Sequence, residues 1–83
     1  MRFDVALAEL RLFKSRSQAS NAIQDGAALL NGELVKPSHG VGAGDRVTLV
    51  ATHGARTLEI LALPGRSLSK EAARQLVREV GAG

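Results

Sequence analysis

The chain has 83 residues, 45% of them apolar, no cysteine and a formal net charge of +3. That length supports one domain near the lower limit for folding without staples, and the lack of cysteine excludes disulfides and thiolate metal sites. No run approaches the ~20 apolar residues of a membrane span, and Asp4 and Glu9 fall where a signal peptide needs an apolar run, so a soluble, cytoplasmic protein is expected.

In chain order, Phe3, Leu7 and Leu10 recur at helical spacing with Ala6 and Phe13 beside them. This predicts a first helix from about Asp4 to Phe13, with Asp4 as its N-cap. Ser15-x-x-Gln18 has the form of a capping box and opens a second helix. Its buried face is Ala19, Ala22 and Ile23, and Gly26 supplies the left-handed position after its end. Two residues would then separate the helices at a sharp corner. Beyond Gly26 the period changes to two. "AALL" and "ELVK" flank Asn31-Gly32, a strong hairpin signal because both residues tolerate positive φ. "KPSHGVGAGD" reads as a Gly-rich loop. "RVTLV" and "TLEILAL" read as strands joined near "THGA", with Val47, Leu49, Leu58 and Ile60 inward. A last helix is expected from Ser69, with Leu68 as a hydrophobic staple, Ala73, Leu76, Val77 and Val80 on one side, and Gly81 and Gly83 fraying its end. The layout is α+β: two short N-terminal helices on a small antiparallel sheet of about four strands, plus a C-terminal helix.

Catalytic chemistry has little to work with. Only His39 and His53 could act as bases near neutral pH, and both fall in predicted turns. The carboxylates are scattered, with no helical pair suited to a metal. Gly40-Val-Gly42-Ala-Gly44 precedes a strand instead of opening a helix, so it lacks the dipole of a dinucleotide loop. Ser67-x-x-Lys70 imitates a nucleophile motif without its partner motifs. No enzyme activity, cofactor, metal or small-molecule substrate is expected.

Charge is more informative in its distribution than in its total. Residues 10–24 carry Arg11, Lys14 and Arg16 and no acid. If the helices meet at a tight corner, these cations converge, and the positive N-terminus of the second helix points out of the same corner. The exposed side of that helix presents Ser17, Ser20, Asn21 and Gln24 within ~100° of one another at 3.6 residues per turn. Small polar groups can bond phosphate oxygens and ribose hydroxyls without blocking a backbone's approach. Arg2, and Lys36 with Ser38, could border this surface. With no Trp or Tyr, and both Phe residues at core-like positions, base stacking is largely unavailable. The chemistry suits recognition of RNA shape and backbone. A protein-interaction module is a competing class that nothing in the sequence demands.

The stretch from Arg2 to Leu49 resembles the S-four RNA-binding domain, named for the fourth small-subunit ribosomal protein. The matching elements are Arg2-x-Asp4, Lys14-Ser15-Arg16, Ala19, Ile23, Gly26, Asn31-Gly32, Val35-Lys36-Pro37-Ser38 and Gly44-Asp45-Arg46. The resemblance implies two helices packed on a small sheet and a second-helix surface that grips structured RNA. Residues 1–50 would form this domain, and residues 51–83 would complete it. With its "TLEILALPGRSLSKEAARQL" continuation, the chain is similar to stand-alone bacterial heat-shock and ribosome quality-control proteins. These bind the large ribosomal subunit and peptidyl-tRNA. On that likeness Arg2, Lys14, Arg16 and Lys36 would contact rRNA or tRNA phosphates, and Ser15, Ser17, Gln18, Ser20 and Asn21 would add backbone contacts. Asp4, Arg11 and Ser38 complete the expected RNA-binding set. A monomer is expected. The alternative is an RNA-targeting domain or subunit of an rRNA methyltransferase or pseudouridine synthase.

Overall fold

The computed structural model describes residues 1–65 and 69–80. They form α1 (Phe3–Glu9), α2 (Arg16–Gln24), β1 (Ala28–Leu30), β2 (Arg46–Ala51), β3 (Gly54–Ile60), α3 (Lys70–Arg74) and β4 (Val77–Val80). The strands make one antiparallel sheet in the order β1-β2-β3-β4. The α+β class, the paired N-terminal helices, an antiparallel sheet of four strands and the presence of a C-terminal helix agree with the sequence reading. Phe3 and Leu7 of α1 and Ile23 of α2 are fully buried against Val47 and Ile60 of the sheet. Burial of each such side chain is worth about 1.5–3 kcal/mol.

Helix α1 stops four residues short of the expected Phe13. The Arg11 amide bonds the Ala8 carbonyl at 3.1 Å and the Leu12 amide bonds the Leu7 carbonyl at 3.0 Å. These two bonds make a Schellman motif, with Arg11 in the left-handed position at φ +63°. Six residues therefore join the helices instead of two. Helix α2 ends the same way, with Gly26 at φ +78° and Ala27 bonding the Ala22 carbonyl at 2.8 Å. The difference is that glycine signals its own stop and arginine does not.

The Asn31-Gly32 turn forms, with φ values of +52° and +81° and Leu30 and Glu33 exchanging both main-chain bonds at 2.9 Å. "ELVK", however, is not a strand. The Asn31 side chain accepts from the Arg46 amide at 2.9 Å and donates to Asp45 Oδ1 at 3.2 Å, which fastens the end of β1 to β2. Residues 33–36 are left without a sheet face, and Leu34 is exposed. The fourth strand is supplied instead by Val77–Val80, where helix was expected. α3 begins next to Ser69, where a helix was expected to start, and Ser69 caps it, its Oγ accepting from the Ala72 amide at 3.3 Å, but the helix ends at Arg74. β4 then pairs with β3, Ile60 opposite Val77 and Glu59 opposite Arg78. Ion pairs Arg78–Glu59 at 2.8 Å and Arg56–Glu79 at 2.9 Å cross that junction, each worth a fraction of a kcal/mol at an exposed site. The expectations for Leu68, Gly81 and Gly83 fall outside the described residues.

Candidate nucleic-acid interface

The loop at residues 37–41 lies alongside the first residues of the chain. Phe3 and Asp4 donate their amides to the His39 and Pro37 carbonyls at 2.8 and 3.0 Å, and Val41 donates to the Met1 carbonyl at 2.9 Å. The Val5 amide bonds Asp4 Oδ1 at 2.7 Å. The first three amides of α1 are thus all satisfied inside the protein. Asp4 is not the N-cap; that position is Arg2, which caps with no side-chain bond. Asp4 is instead a buried anchor at 3% exposure. Its two oxygens hold the Arg2 guanidinium in a fork, Nε to Oδ1 at 3.1 Å and Nη2 to Oδ2 at 3.0 Å.

At α2 the situation is reversed. Ser15 Oγ accepts from the Gln18 amide at 3.2 Å, the serine half of the expected capping box. The Arg16 and Ser17 amides have no acceptor among the described residues, so they offer the donors an anion needs. An open concavity of about 470 Å³ lies here, lined by Asp4, Arg16, Ser17, Ser20 and Asn21. Ser17, Ser20 and Asn21 of the exposed strip read from the sequence therefore face a real depression, with the α1 start as its opposite wall, while Gln24 does not line it. Ser20 and Gln24 are tied to each other, Gln24 Nε2 donating to Ser20 Oγ at 3.0 Å. Gln18 and Asn21 are exposed. Lys36 borders a separate apolar depression with Gln24, Leu34, Val35 and Pro37. Ser38 is exposed next to the Pro37 and His39 carbonyls that hold α1.

The expected convergence of Arg11, Lys14 and Arg16 is not what the longer connection produces. Arg16 faces the α2 concavity. Arg11 and Lys14 line a different depression with Leu12, Phe13 and Lys70. Phe13, expected in the core, is only half-buried there. Arg11 also borders a neighbouring depression with Arg56, Lys70 and Arg74. In the sequence, Lys70, Arg74 and Arg78 against Glu71 and Glu79 read as a solvated, mixed-sign face. The i, i+4 spacing of Lys70 and Arg74 was the only sign that these two share one side. Among the described residues no group of three His, Cys, Asp or Glu side chains could hold a metal, and no helix is long and apolar enough to cross a membrane.

Comparison with known proteins follows the same lines. No curated protein matches the sequence closely enough to count as a relative. Among solved structures, the trimeric Heat Shock Protein 15 of Vibrio cholerae superposes with a TM-score of 0.88 at 34% identity, covering 96% of this chain and 81% of that one. The solution structure of the hypothetical protein HP1423 superposes at 0.81 with 28% identity, over the full length of both chains. The S4 domain matches residues 1–47, the segment that builds α1, α2 and their shared concavity. By that match and by the fold, this chain belongs to the S4 domain family.

Proposed function

We propose that the protein is a non-enzymatic, cytoplasmic RNA-binding protein that grips structured rRNA or tRNA by backbone and shape. Its place of action in this reading is the large ribosomal subunit, in ribosome rescue or quality control. The observation that carries RNA binding is the α2 face. Two open main-chain amides, the Arg16 guanidinium and the hydroxyl and amide groups of Ser17, Ser20 and Asn21 border one concavity of a size to accept a phosphodiester backbone. Arg2, Lys14, Arg16 and Lys36 take phosphates in this reading. Ser15, Ser17, Gln18, Ser20 and Asn21 take sugar and backbone oxygens. Asp4 positions Arg2, while Arg11 and Ser38 lie at the borders. Residues 1–50 form the RNA-binding domain, and residues 51–83 complete it with strand and helix. The S4 match and the likeness to Heat Shock Protein 15 support the RNA-binding part of this reading. A monomer is the working stoichiometry, and sedimentation velocity distinguishes it from the trimer described for the Vibrio cholerae protein.

Titration of the purified protein against structured rRNA fragments at rising salt tests the reading. If about three to five phosphates are neutralised, log K falls with log[salt] at a slope of roughly −2 to −4. Lys14→Ala with Arg16→Ala should weaken binding to many RNAs alike and flatten the slope by about 2. Salt-independent binding, or none at low salt, defeats the proposal. Because the S4 match covers only the first 47 residues, the second reading is an RNA-targeting part of an rRNA-modifying enzyme. Co-purification of a methyltransferase or pseudouridine synthase in preference to large subunits would favour it.

A further inference from the structure

A second cationic depression, of about 320 Å³, lies away from the α2 concavity. Its rim holds four cations brought from three separate parts of the chain: Arg11 after α1, Arg56 on β3, and Lys70 and Arg74 one turn apart on α3. Its floor is aliphatic, made by Leu10, Leu12, Leu58 and Val77. No carboxylate lines it. Glu79 answers Arg56, at 2.9 Å. Lys70 and Arg74 make no ion pair among the described residues. A volume near 300 Å³ is at the small end for ligand clefts. An apolar floor under a rim of arginines suits a flat, uncharged ring with a phosphate attached, since guanidinium planes also stack on bases.

The depression is not isolated. A neighbouring one of about 250 Å³ shares Arg11, Leu12 and Lys70 with it and continues to Phe13 and Lys14. Half-buried Phe13 gives that stretch an aromatic surface, the usual platform for an unpaired base. The track therefore runs from the α1–α2 connection, next to the helix that faces structured RNA, across α3 to the end of β3.

We infer that this track binds a short single-stranded RNA segment leaving the structured element held on α2. Phosphates lie against Lys14, Lys70 and Arg74, and bases lie on Phe13 and the aliphatic floor. The inference rests on the RNA-binding reading of the α2 face. An acidic peptide with apolar side chains satisfies the same charges, but Lys14 stands two residues before the start of α2, so the track begins beside the helix read as RNA-binding, which favours RNA.

The test uses a synthetic RNA hairpin with a blunt stem and the same hairpin with a single-stranded extension of about five nucleotides. The full chain should bind the extended form about five- to tenfold more tightly, with a salt slope steeper by about 1 to 2. Lys70→Gln with Arg74→Gln, both at exposed positions, should abolish that increment and leave blunt-hairpin affinity unchanged. Lys14→Ala with Arg16→Ala should weaken both forms. No increment in the parent protein, or equal loss of both hairpins in the Lys70/Arg74 variant, overturns the inference while leaving the α2 reading standing. Failure of the parent to bind either hairpin at low salt overturns both. An acidic peptide captured by the parent but not by the Lys70/Arg74 variant, with no increment from the extension, assigns the track to a protein and overturns the RNA assignment.

Discussion

Arg2→Ala asks whether the fork between Arg2 and Asp4 organises the start of α1 or only decorates it. The Asp4 side chain is 4% exposed, while that of Arg2 is 49% exposed. Removing the arginine leaves a buried carboxylate with one remaining donor, the Val5 amide at 2.7 Å. Breaking a fully buried pair from one side costs about 3–5 kcal/mol, and a hydrogen bond to a charged group is worth about 1.5–3 kcal/mol. Here the guanidinium is half in water already, and the vacated space admits water to the carboxylate. Both effects bring the expected loss to about 2 kcal/mol. In a domain of this size each kcal/mol moves Tm by about 4–8 °C, so Arg2→Ala should melt about 8–16 °C lower. Asp4→Asn removes the buried charge and lets Arg2 hydrate, so it should cost less, about 1 kcal/mol. The double variant should lose less than the sum, because the two side chains share one interaction.

Thermal melts by circular dichroism, with urea titrations as a second measure, read these differences. A loss under about 0.5 kcal/mol for Arg2→Ala would put the pair with ordinary surface ion pairs and refute the argument. The same geometry bears on RNA. Because Arg2 shares its charge between Asp4 and a phosphate, Arg2→Ala should flatten the salt slope of RNA binding by about 0.5, against about 1 for Arg16→Ala.

Two stability predictions rest on backbone geometry. Gly26 sits at φ +78° with open space where a Cβ would go, so Gly26→Ala should lose about 1 kcal/mol through left-handed strain alone. Gly40→Ala, also with open space but at ordinary φ, should be neutral or slightly stabilising in the same urea titration. Asn31→Ala removes two side-chain bonds that tie β1 to β2 and should cost about 2 kcal/mol. Asn31→Gly keeps the turn conformation and should recover part of that loss.

Local chemistry was readable in the sequence; choices made by distant partners were not. Ser15, Gly26, Asn31-Gly32 and Ser69 each act within about four residues, so their types announce the caps and turns they form. Arg11 carries no such sign. Its left-handed conformation is imposed by the half-buried Leu12 and Phe13 packing back on the core, and sequence periodicity continued straight through it. Ala73, Leu76, Val77 and Val80 satisfy a helical spacing, yet the β-branched valines also suit a strand. Pairing with β3 decided between the two. The candidate site divides in the same way. Ser17, Ser20, Asn21 and Gln24 belong to one helix, so their common face followed from 3.6 residues per turn. Arg56, Lys70 and Arg74 meet Arg11 only because β4 returns along β3 and sets α3 against the α1–α2 connection.

That return also bears on how a chain with a net charge of only +3 gathers four cations around one depression. Four of the eight acids are engaged elsewhere. Asp4 holds Arg2; Asp45 accepts from Asn31 and from the Gly42 amide; Glu59 and Glu79 answer Arg78 and Arg56 across β3–β4. Lys14, Arg16, Lys70 and Arg74 are left without an ion pair among the described residues, and all four lie in or next to the helical part of the fold. Field strength at a surface follows the local arrangement of charges within about one Debye length, ~8–10 Å at ordinary salt, more than it follows the molecular total. Neutralising the sheet with cross-strand pairs therefore does two things at once. It fastens β4 in place, and it leaves Arg16 beside the open amides of α2, and Lys70 and Arg74 on α3, without an ion pair among the described residues.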